Sequence, residues 1–234
     1  MGANKLGEEL MSDRDTVVIL PALNEAGTIG QTIDDVLCYL PGCQLVVIDN
    51  FSVNGTKQIA QKRGVLVIST PRGKGLAVRT ALLSILPHYS FEWLVMIDAD
   101  FTYPAKYIPA VISKLEEGAD VVMGYRAIKE EGSMTTINGV GNLGLSLLAS
   151  FLYGKWVRDI CTGMWGFRRS ALKKFTLTSP RFTLEADFFI NAVKTHCNIV
   201  QIPIEYRARP DGSSPKLKVK DGLEIGWFLV KNRW

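Results

Sequence analysis

Between residues 16 and 125, short runs rich in β-branched residues alternate with longer segments in which apolar residues recur at helical spacing. Such βα units stack on a mainly parallel sheet that is covered by helices. The chain has 234 residues and 47% hydrophobic content, which is enough to bury one sizeable core. We therefore predict an α/β fold in a single domain. The predicted strands are TVVILPA, QLVVIDN, VLVIST, WLVMIDAD and DVVMGY.

The pattern becomes less regular after residue 126. The nearly uncharged stretch NLGLSLLASFLYG is predicted as a core helix in preference to a helix at a membrane interface, because apolar runs of this length are usually buried. Further predicted strands are GMWGFRR and IVQIPIEYRAR, and further predicted helices are EADFFINAVKT and DGLEIGWFLVKNRW. The predicted divisions of the chain are a flexible segment over 1–15, the folded domain over 16–222 and an amphipathic, juxtamembrane segment over 223–234.

The composition argues against several classes of protein. No run reaches the roughly eighteen uninterrupted apolar residues of a membrane span, and the polar opening MGANKLGEELMSDRD is not a secretory signal. We therefore expect a cytoplasmic protein, and the family resemblance given below further implies that it is peripheral on the cytoplasmic face of the membrane. Four cysteines without C-x-x-C spacing indicate neither a zinc site nor disulfides. The net charge is +4, and the basic run RARPDGSSPKLKVK suits phosphates or an anionic membrane surface, whereas no nucleic-acid-binding motif is present.

Polar side chains follow most of the predicted strands, at the sheet edge where α/β proteins bind ligands. Asp98 and Asp100 are spaced i and i+2, so both can face one point above that edge. Two such carboxylates repel each other unless a cation lies between them, and Mg²⁺ or Mn²⁺ binds carboxylate oxygens while completing its shell with water and phosphate. The pair therefore predicts a metal site. Taken singly, the other strand-end residues are also explained as turn and cap residues.

A glycine-rich turn, PRGKGLAVR, precedes a predicted helix and places Gly73, Lys74 and Gly75 at its start. Backbone N–H groups and the helix dipole favour an anion at such a position. An ordinary basic helix start explains this segment equally well when it is judged alone. The turn lacks Walker A spacing, and no G-x-G-x-x-G follows the first strand, which argues against a dinucleotide-binding domain.

Seven motifs in order resemble those of family 2 glycosyltransferases with the GT-A fold, in the branch of dolichyl- and polyprenyl-phosphate sugar synthases. They run from about Thr16 to the end of the chain. The motifs are VVILPALNEAGTI, LVVIDNFSVNGT, RGKGLAVRTAL, VMIDADFTYP, MGYR, CTGMWGFRRSAL and QIPIEYRAR.

The resemblance implies a UDP- or GDP-sugar donor, a polyprenyl or dolichyl phosphate acceptor and a membrane surface as partner. It implies that Asp98, Asp100 and Arg126 form the catalytic centre, with the donor diphosphate held by Mg²⁺ or Mn²⁺ on the two aspartates. The implied donor-binding residues are Pro21, Ala22, Asn24, Glu25, Asp49, Asn50, Lys74, Arg79 and Asp98. The implied residues for the acceptor phosphate are Arg126, Ser133, Arg168, Arg207, Arg209 and Lys216.

Three positions depart from the pattern of that branch. Asn50 and Phe51 stand where a second acid and a glycine are common, which bears on recognition of the base. Thr102 stands where mannose-transferring members often carry glutamine, and Asn138 where an arginine is frequent. The sugar and the base therefore stay open, while the family leads us to expect inversion at the anomeric carbon.

The resulting hypothesis is transfer of a hexosyl or N-acetylhexosaminyl group from the nucleotide-sugar to a polyprenyl phosphate. A glycosyltransferase with a soluble acceptor is one alternative. A sugar nucleotidyltransferase and a non-catalytic sugar-nucleotide-binding module are alternatives from other classes. The sequence makes no prediction of oligomeric state.

Overall fold

Seven strands form one sheet in the computed structural model, which describes residues 15–210 and 219–233. The strands are β1 Thr16–Ala22, β2 Gln44–Asp49, β3 Leu66–Ser69, β4 Trp93–Met96, β5 Val121–Lys129, β6 Trp165–Arg168 and β7 Ile199–Tyr206. Their order across the sheet is β3-β2-β1-β4-β6-β5-β7. Among these strands, β6 alone runs antiparallel to its neighbours β4 and β5. The prediction of a mainly parallel α/β sheet is confirmed.

Helices cover both faces of this sheet. They are α1 Ile29–Tyr39, α2 Thr56–Lys62, α3 Lys74–His88, α4 Ile108–Glu116, α5 Thr136–Tyr153, α6 Arg169–Leu172, α7 Leu184–Lys194 and α8 Val219–Lys231. In β1, Val17 and Ile19 join the core beneath α3, α5, α7 and α8, whereas Val18 and Leu20 join the core beneath α1 and α4. Successive strand residues point to opposite faces, so each central strand contributes to both cores.

Three element boundaries differ from the predicted ones. β4 ends at Met96, so the acidic pair lies in the loop after the strand and not on its last residues. Pro104 has extended backbone angles and precedes a 3-10 turn, so α4 begins only at Ile108. β5 continues to Lys129, through part of the predicted polar loop, because it pairs with β7 along this length.

The prediction that α5 is a core helix is wrong. Ser146, Ala149 and Tyr153 are its buried residues, and they pack towards the sheet and α8. Its outer face is apolar and exposed, and we call this face the α5 stripe: Ile137, Val140, Leu143, Leu147 and Phe151. An almost uniformly apolar sequence does not reveal which side of a helix is buried. Within the described ranges, no helix is long and apolar enough to cross a membrane.

Candidate active site

A cavity of about 870 Å³ opens at the carboxyl ends of the parallel strands, and we call it the main cavity. Ligands of open α/β sheets bind at this edge, so its position agrees with the prediction. It brings together ten of the predicted site residues. They are Pro21, Ala22, Glu25, Asn50, Lys74, Asp98, Asp100, Arg126, Ser133 and Arg209.

The acidic pair sits in this cavity, and each carboxylate is matched by a cationic side chain. Asp98 Oδ1 accepts a hydrogen bond from Lys74 Nζ at 2.6 Å. Asp100 Oδ2 forms an ion pair with Arg209 Nη1. Asp100 Oδ1 accepts from the hydroxyl of Thr102 at 2.6 Å and from its backbone N–H at 3.2 Å. Thr102 is fully buried and therefore fixes the direction of the Asp100 carboxylate.

Lys74 bridges two acids from distant parts of the chain. Besides Asp98, its ammonium group donates to Glu185 Oε1 at 2.6 Å, and Glu185 lies in the first turn of α7. Burial acts to lower the pKa of Lys74, but the two carboxylates outweigh it and raise that pKa, so the lysine stays charged. Burial, reinforced by the charge of Asp98, raises the pKa of Glu185 although Lys74 opposes the change. One cation facing two anions leaves this cluster short of positive charge.

Arg126 is held by a second buried ion pair. Its Nε and Nη2 atoms donate to the two carboxylate oxygens of Asp159 at 2.6 and 2.7 Å, and its backbone N–H donates to the same group at 3.2 Å. Burial acts to raise the pKa of Asp159, but the Arg126 charge and hydrogen bonds outweigh it and hold that pKa below its ordinary value. A bidentate pair of this kind fixes the plane of the guanidinium group. Arg126 therefore enters the cavity in one fixed orientation.

Backbone contacts position the glycine-rich turn before α3. The N–H of Gly73 donates to Asn50 Oδ1 at 2.8 Å, which ties the turn to the end of β2. Gly73 has φ +124, a conformation that favours glycine, and a Cβ there would collide with the carbonyl oxygen of Pro180. A Cβ on Gly75 would likewise collide with the carbonyl oxygen of Ser179. The glycines thus let α3 begin close enough for Lys74 to reach both acids.

Asp49 is buried just before Asn50 at the end of β2. Its Oδ1 atom has no hydrogen-bond partner among the described residues. A buried carboxylate oxygen without a partner is costly, so it marks a place where a ligand donor would be stabilising. Ser133 Oγ, beside the main cavity, is a second buried polar atom without such a partner.

The acidic pair is compatible with a divalent cation. Its donors are hard carboxylate oxygens, and the ion pairs with Lys74 and Arg209 show that positive charge is stabilised beside both. No group of three or more His, Cys, Asp or Glu side chains suited to a metal occurs in the described part of the chain. Two carboxylates with water and phosphate oxygens are the arrangement that Mg²⁺ commonly takes, so Asp98 and Asp100 fit a metal that binds together with a phosphate ligand.

Five of the predicted residues that the structure describes lie outside the lining of the main cavity: Asn24, Asp49, Arg79, Arg168 and Arg207. Asn24 Oδ1 accepts from the N–H of Val53, so it braces a loop. Arg79 reaches the carbonyl of Leu177 at 3.4 Å. Arg207 stacks on Phe101 and pairs with Asp35.

The placement of Arg168 corrects its prediction as a phosphate ligand. It is opposite Trp93 in the β4–β6 pairing, at the end of β4 remote from the acidic pair, and its guanidinium stacks on that indole. Lys216 lies outside the described residues.

Sequence reasoning missed two of the acids that organise the site. Asp159 stands two residues before the motif CTGMWGFRRSAL, and Glu185 lies within a segment predicted only as a helix. Neither acid lies at a sequence distance from its partner that would reveal the pair. Lys74 and Glu185, for example, are 111 residues apart. Cys161 also lines the main cavity, but burial raises its pKa to about 12, so it is a neutral thiol and not a nucleophile at neutral pH.

The far end of the main cavity is apolar. It is lined there by Leu145 of α5, Ile225 of α8 and Ile160 of the loop before β6. The N-terminal part of α5, with Ile137, also borders it. The cavity therefore joins a charged end at the strand termini to an apolar end beneath two exposed helices.

Comparison with known proteins gives three concordant matches. The sequence model for glycosyl transferase family 2 matches residues 17–176. The glycosyltransferase AglJ of Haloferax volcanii is 35% identical over 218 residues, covering 91% of this chain and 70% of the relative. The dolichyl-phosphate hexose transferase of the same organism is 35% identical over 218 residues, covering 93% of each chain.

A solved structure supports the fold. Glucosyl-3-phosphoglycerate synthase from Mycobacterium tuberculosis, in complex with Mn²⁺ and uridine-diphosphate-glucose, matches with a TM-score of 0.76 at 23% identity. The match covers 97% of this chain and 82% of that structure. The predicted GT-A fold is confirmed.

Proposed function

Because the chain belongs to glycosyl transferase family 2, we propose that it transfers a hexosyl or N-acetylhexosaminyl group from a nucleotide-sugar to the phosphate of a polyprenol at a membrane surface. One observation carries the proposal. The lining of the main cavity includes four acids and five cations at its charged end, and apolar side chains at the end between α5 and α8. An acceptor with a phosphate on an apolar chain matches both ends, whereas a small soluble acceptor uses only the first.

The donor would bind at the charged end. Asp49 would accept a hydrogen bond from an N–H group of the nucleotide base, because its buried Oδ1 atom has no hydrogen-bond partner among the described residues. Asp98 and Asp100 would hold Mg²⁺ or Mn²⁺, which supplies charge neutralisation to the departing diphosphate. Arg209 would then release Asp100 and turn to phosphate oxygens. We propose a UDP-sugar in preference to a GDP-sugar as the donor, because the structural neighbour binds uridine-diphosphate-glucose with Mn²⁺.

The chain's own residues would act mainly by orientation and electrostatics. A phosphate monoester is already anionic near neutral pH, so the acceptor needs alignment more than a general base. Arg126, fixed by Asp159, and Ser133, whose hydroxyl has no hydrogen-bond partner among the described residues, would hold the acceptor phosphate. Lys74 stays charged and can stabilise negative charge that develops on the leaving group.

The membrane part of the proposal is supported by two exposed apolar faces. One is the α5 stripe, and the other is formed by Leu223, Trp227 and Val230 of α8. α5 and α8 pack against each other. Apolar side chains presented together in this way are typical of helices that lie in a membrane interface. We propose that the protein docks there on the cytoplasmic face.

Radiolabelled UDP- and GDP-sugars, incubated with Mn²⁺ and polyprenyl phosphate, test the proposal. We expect label to become extractable into organic solvent, and to remain aqueous for Asp100→Asn. Label that instead appears on a water-soluble phosphorylated acid would replace the lipid acceptor by a soluble one. Release of pyrophosphate from a nucleoside triphosphate would indicate a nucleotidyltransferase, and nucleotide binding without any transfer would indicate a binding module.

A further inference from the structure

A second, smaller pocket of about 240 Å³ lies beside the main cavity, and we call it the side pocket. β5, α5 and the loop before β6 line it through Tyr125, Lys129, Leu143 and Arg158. The Arg126–Asp159 pair lines it as well, and Arg126 also borders the main cavity. That ion pair therefore stands between the two pockets.

Two cations in the side pocket have no acidic partner in the part of the chain that the structure describes. Neither Lys129 nor Arg158 forms an ion pair with a described residue, whereas the guanidinium of Arg126 is used by Asp159. Arg158 stacks its guanidinium over the ring of Tyr125 at 4.9 Å, and stacking of this kind leaves the in-plane N–H donors of the group open to an anion. The pocket thus holds two positive charges that an anion would compensate.

The backbone around these cations is fixed. Gln201 Oε1 accepts from the N–H of Arg158 at 2.8 Å, and its Nε2 donates to the carbonyl of Trp156 at 2.7 Å. On β5, a bulge lets Arg126 and Ile128 face consecutive residues of β7. The extra residue changes the phase of the strand, so Lys129 falls on the same side as Arg126.

We propose that the side pocket binds the phosphate of an anionic bilayer lipid head group, separately from the acceptor phosphate in the main cavity. Its volume suits a phosphate group and is too small for a nucleotide-sugar. Leu143, which lines it, belongs to the α5 stripe, and Trp156, two residues before Arg158, is exposed, so the remainder of the occupant would meet apolar surface. Free cations next to an exposed apolar helix face are suited to an anionic membrane. The inference uses the proposed function only in placing the protein at a membrane.

Vesicle flotation with the full chain tests the side pocket. We compare phosphatidylcholine vesicles with vesicles that also contain phosphatidylglycerol, for the wild type and for Lys129→Ala/Arg158→Ala. A cation near an anionic surface contributes about 1 kcal/mol, so the double variant should bind the anionic vesicles roughly 30-fold more weakly. Lys155→Ala/Lys231→Ala is the matched control, because it removes two exposed cations that do not line the side pocket.

Three outcomes would overturn the proposal: equal losses in the two double variants, no preference of the wild type for anionic vesicles, or equally tight binding of free glycerol phosphate measured by calorimetry. Circular dichroism melting establishes that the variants fold. Transfer to a detergent-dispersed acceptor should stay unchanged in Lys129→Ala/Arg158→Ala. If Lys129→Ala/Arg158→Ala loses binding to anionic vesicles while the wild type transfers no sugar to lipid, the proposal for the side pocket is supported and the proposed function is contradicted.

Discussion

A single buried hydroxyl sets the direction of the second acid of the pair. Thr102 donates to Asp100 Oδ1, so the other oxygen, Oδ2, faces Arg209. Groups that orient a ligand residue usually matter for affinity, and their loss costs about 10- to 100-fold in metal affinity or activity. Thr102→Val keeps the shape and removes the hydroxyl. We expect Thr102→Val to lower both the rate of Mn²⁺-dependent transfer and the Mn²⁺ affinity measured by calorimetry by this factor. Thr102→Ser keeps the hydroxyl and should stay near wild type, and an unaltered Mn²⁺ affinity in Thr102→Val would contradict this role.

Asp159 should matter for stability as well as for the site. Asp159→Asn leaves the Arg126 charge buried without its counter-ion, which costs about 3–5 kcal/mol in the free energy of unfolding. Folding lowers the pKa of Asp159, so its contribution is present above the ordinary value of 3.8 and is lost as the pH falls through the folded value. In urea unfolding, the free energy of unfolding of Asp159→Asn should therefore lie below that of the wild type by a constant amount from neutral pH down to about pH 4. The difference should shrink only below that pH.

The exposed pair of Asp34 with Arg63 provides the control for Asp159. Asp34→Asn should cost less than about 1 kcal/mol, as exposed pairs do. Similar losses in Asp34→Asn and Asp159→Asn would show that the buried pair has no special contribution.

Individual residues were predictable from the sequence where local order determines them. Asp98, Asp100 and Lys74 could be placed at one sheet edge because each follows a recognisable strand or turn. Glu185, the second partner of Lys74, could not be placed there, because an ion pair between residues 111 positions apart depends on how two helices approach each other. The position of Arg168 could not be predicted either, because its motif does not indicate that β6 runs antiparallel to β4.

At the scale of the elements, the α5 stripe is the feature with the clearest consequence. Phe151 is 85% exposed on it. Phe151→Glu removes an apolar group worth about 1.5–3 kcal/mol when buried and adds a charge repelled by anionic lipid. We expect at least about tenfold weaker vesicle binding by flotation, with an unchanged melting temperature.

Leu83→Glu is the control for this change. Leu83 is 70% exposed and lies on α3, outside the α5 stripe. An equal reduction in both variants would show that the added charge, and not the α5 stripe, weakens binding.

The elements themselves were largely predictable, whereas their faces were not. Alternation of strand and helix patterns located each of β1, β2 and β3 to within a residue. Such reasoning fails for α5, because apolar residues occur on all sides of this helix. Its outer face is identified only from the residues that pack against the rest of the protein.

At the scale of the whole molecule, the main cavity could not be derived from local patterns. It combines the ends of strands from both halves of the chain with α5, α7 and α8. The order of strands that brings these parts together includes the antiparallel β6, whose direction no periodicity encodes. The acidic pair and Lys74 at the charged end were therefore predictable, whereas Glu185 and the apolar end were not.

Donor binding should stabilise the whole fold, because a ligand that binds only the native state raises its stability. At a concentration about 100 times its Kd a nucleotide adds about 2.7 kcal/mol, which for a chain of this size raises Tm by roughly 5–10 °C. We expect this shift with UDP and Mn²⁺ in scanning fluorimetry, a smaller one with GDP and Mn²⁺, and little with a chelator or in Asp100→Asn. An undiminished shift in the chelated protein would mean that nucleotide binding does not use a metal on the acidic pair, and that Lys74 and Arg209 provide all the positive charge the diphosphate requires.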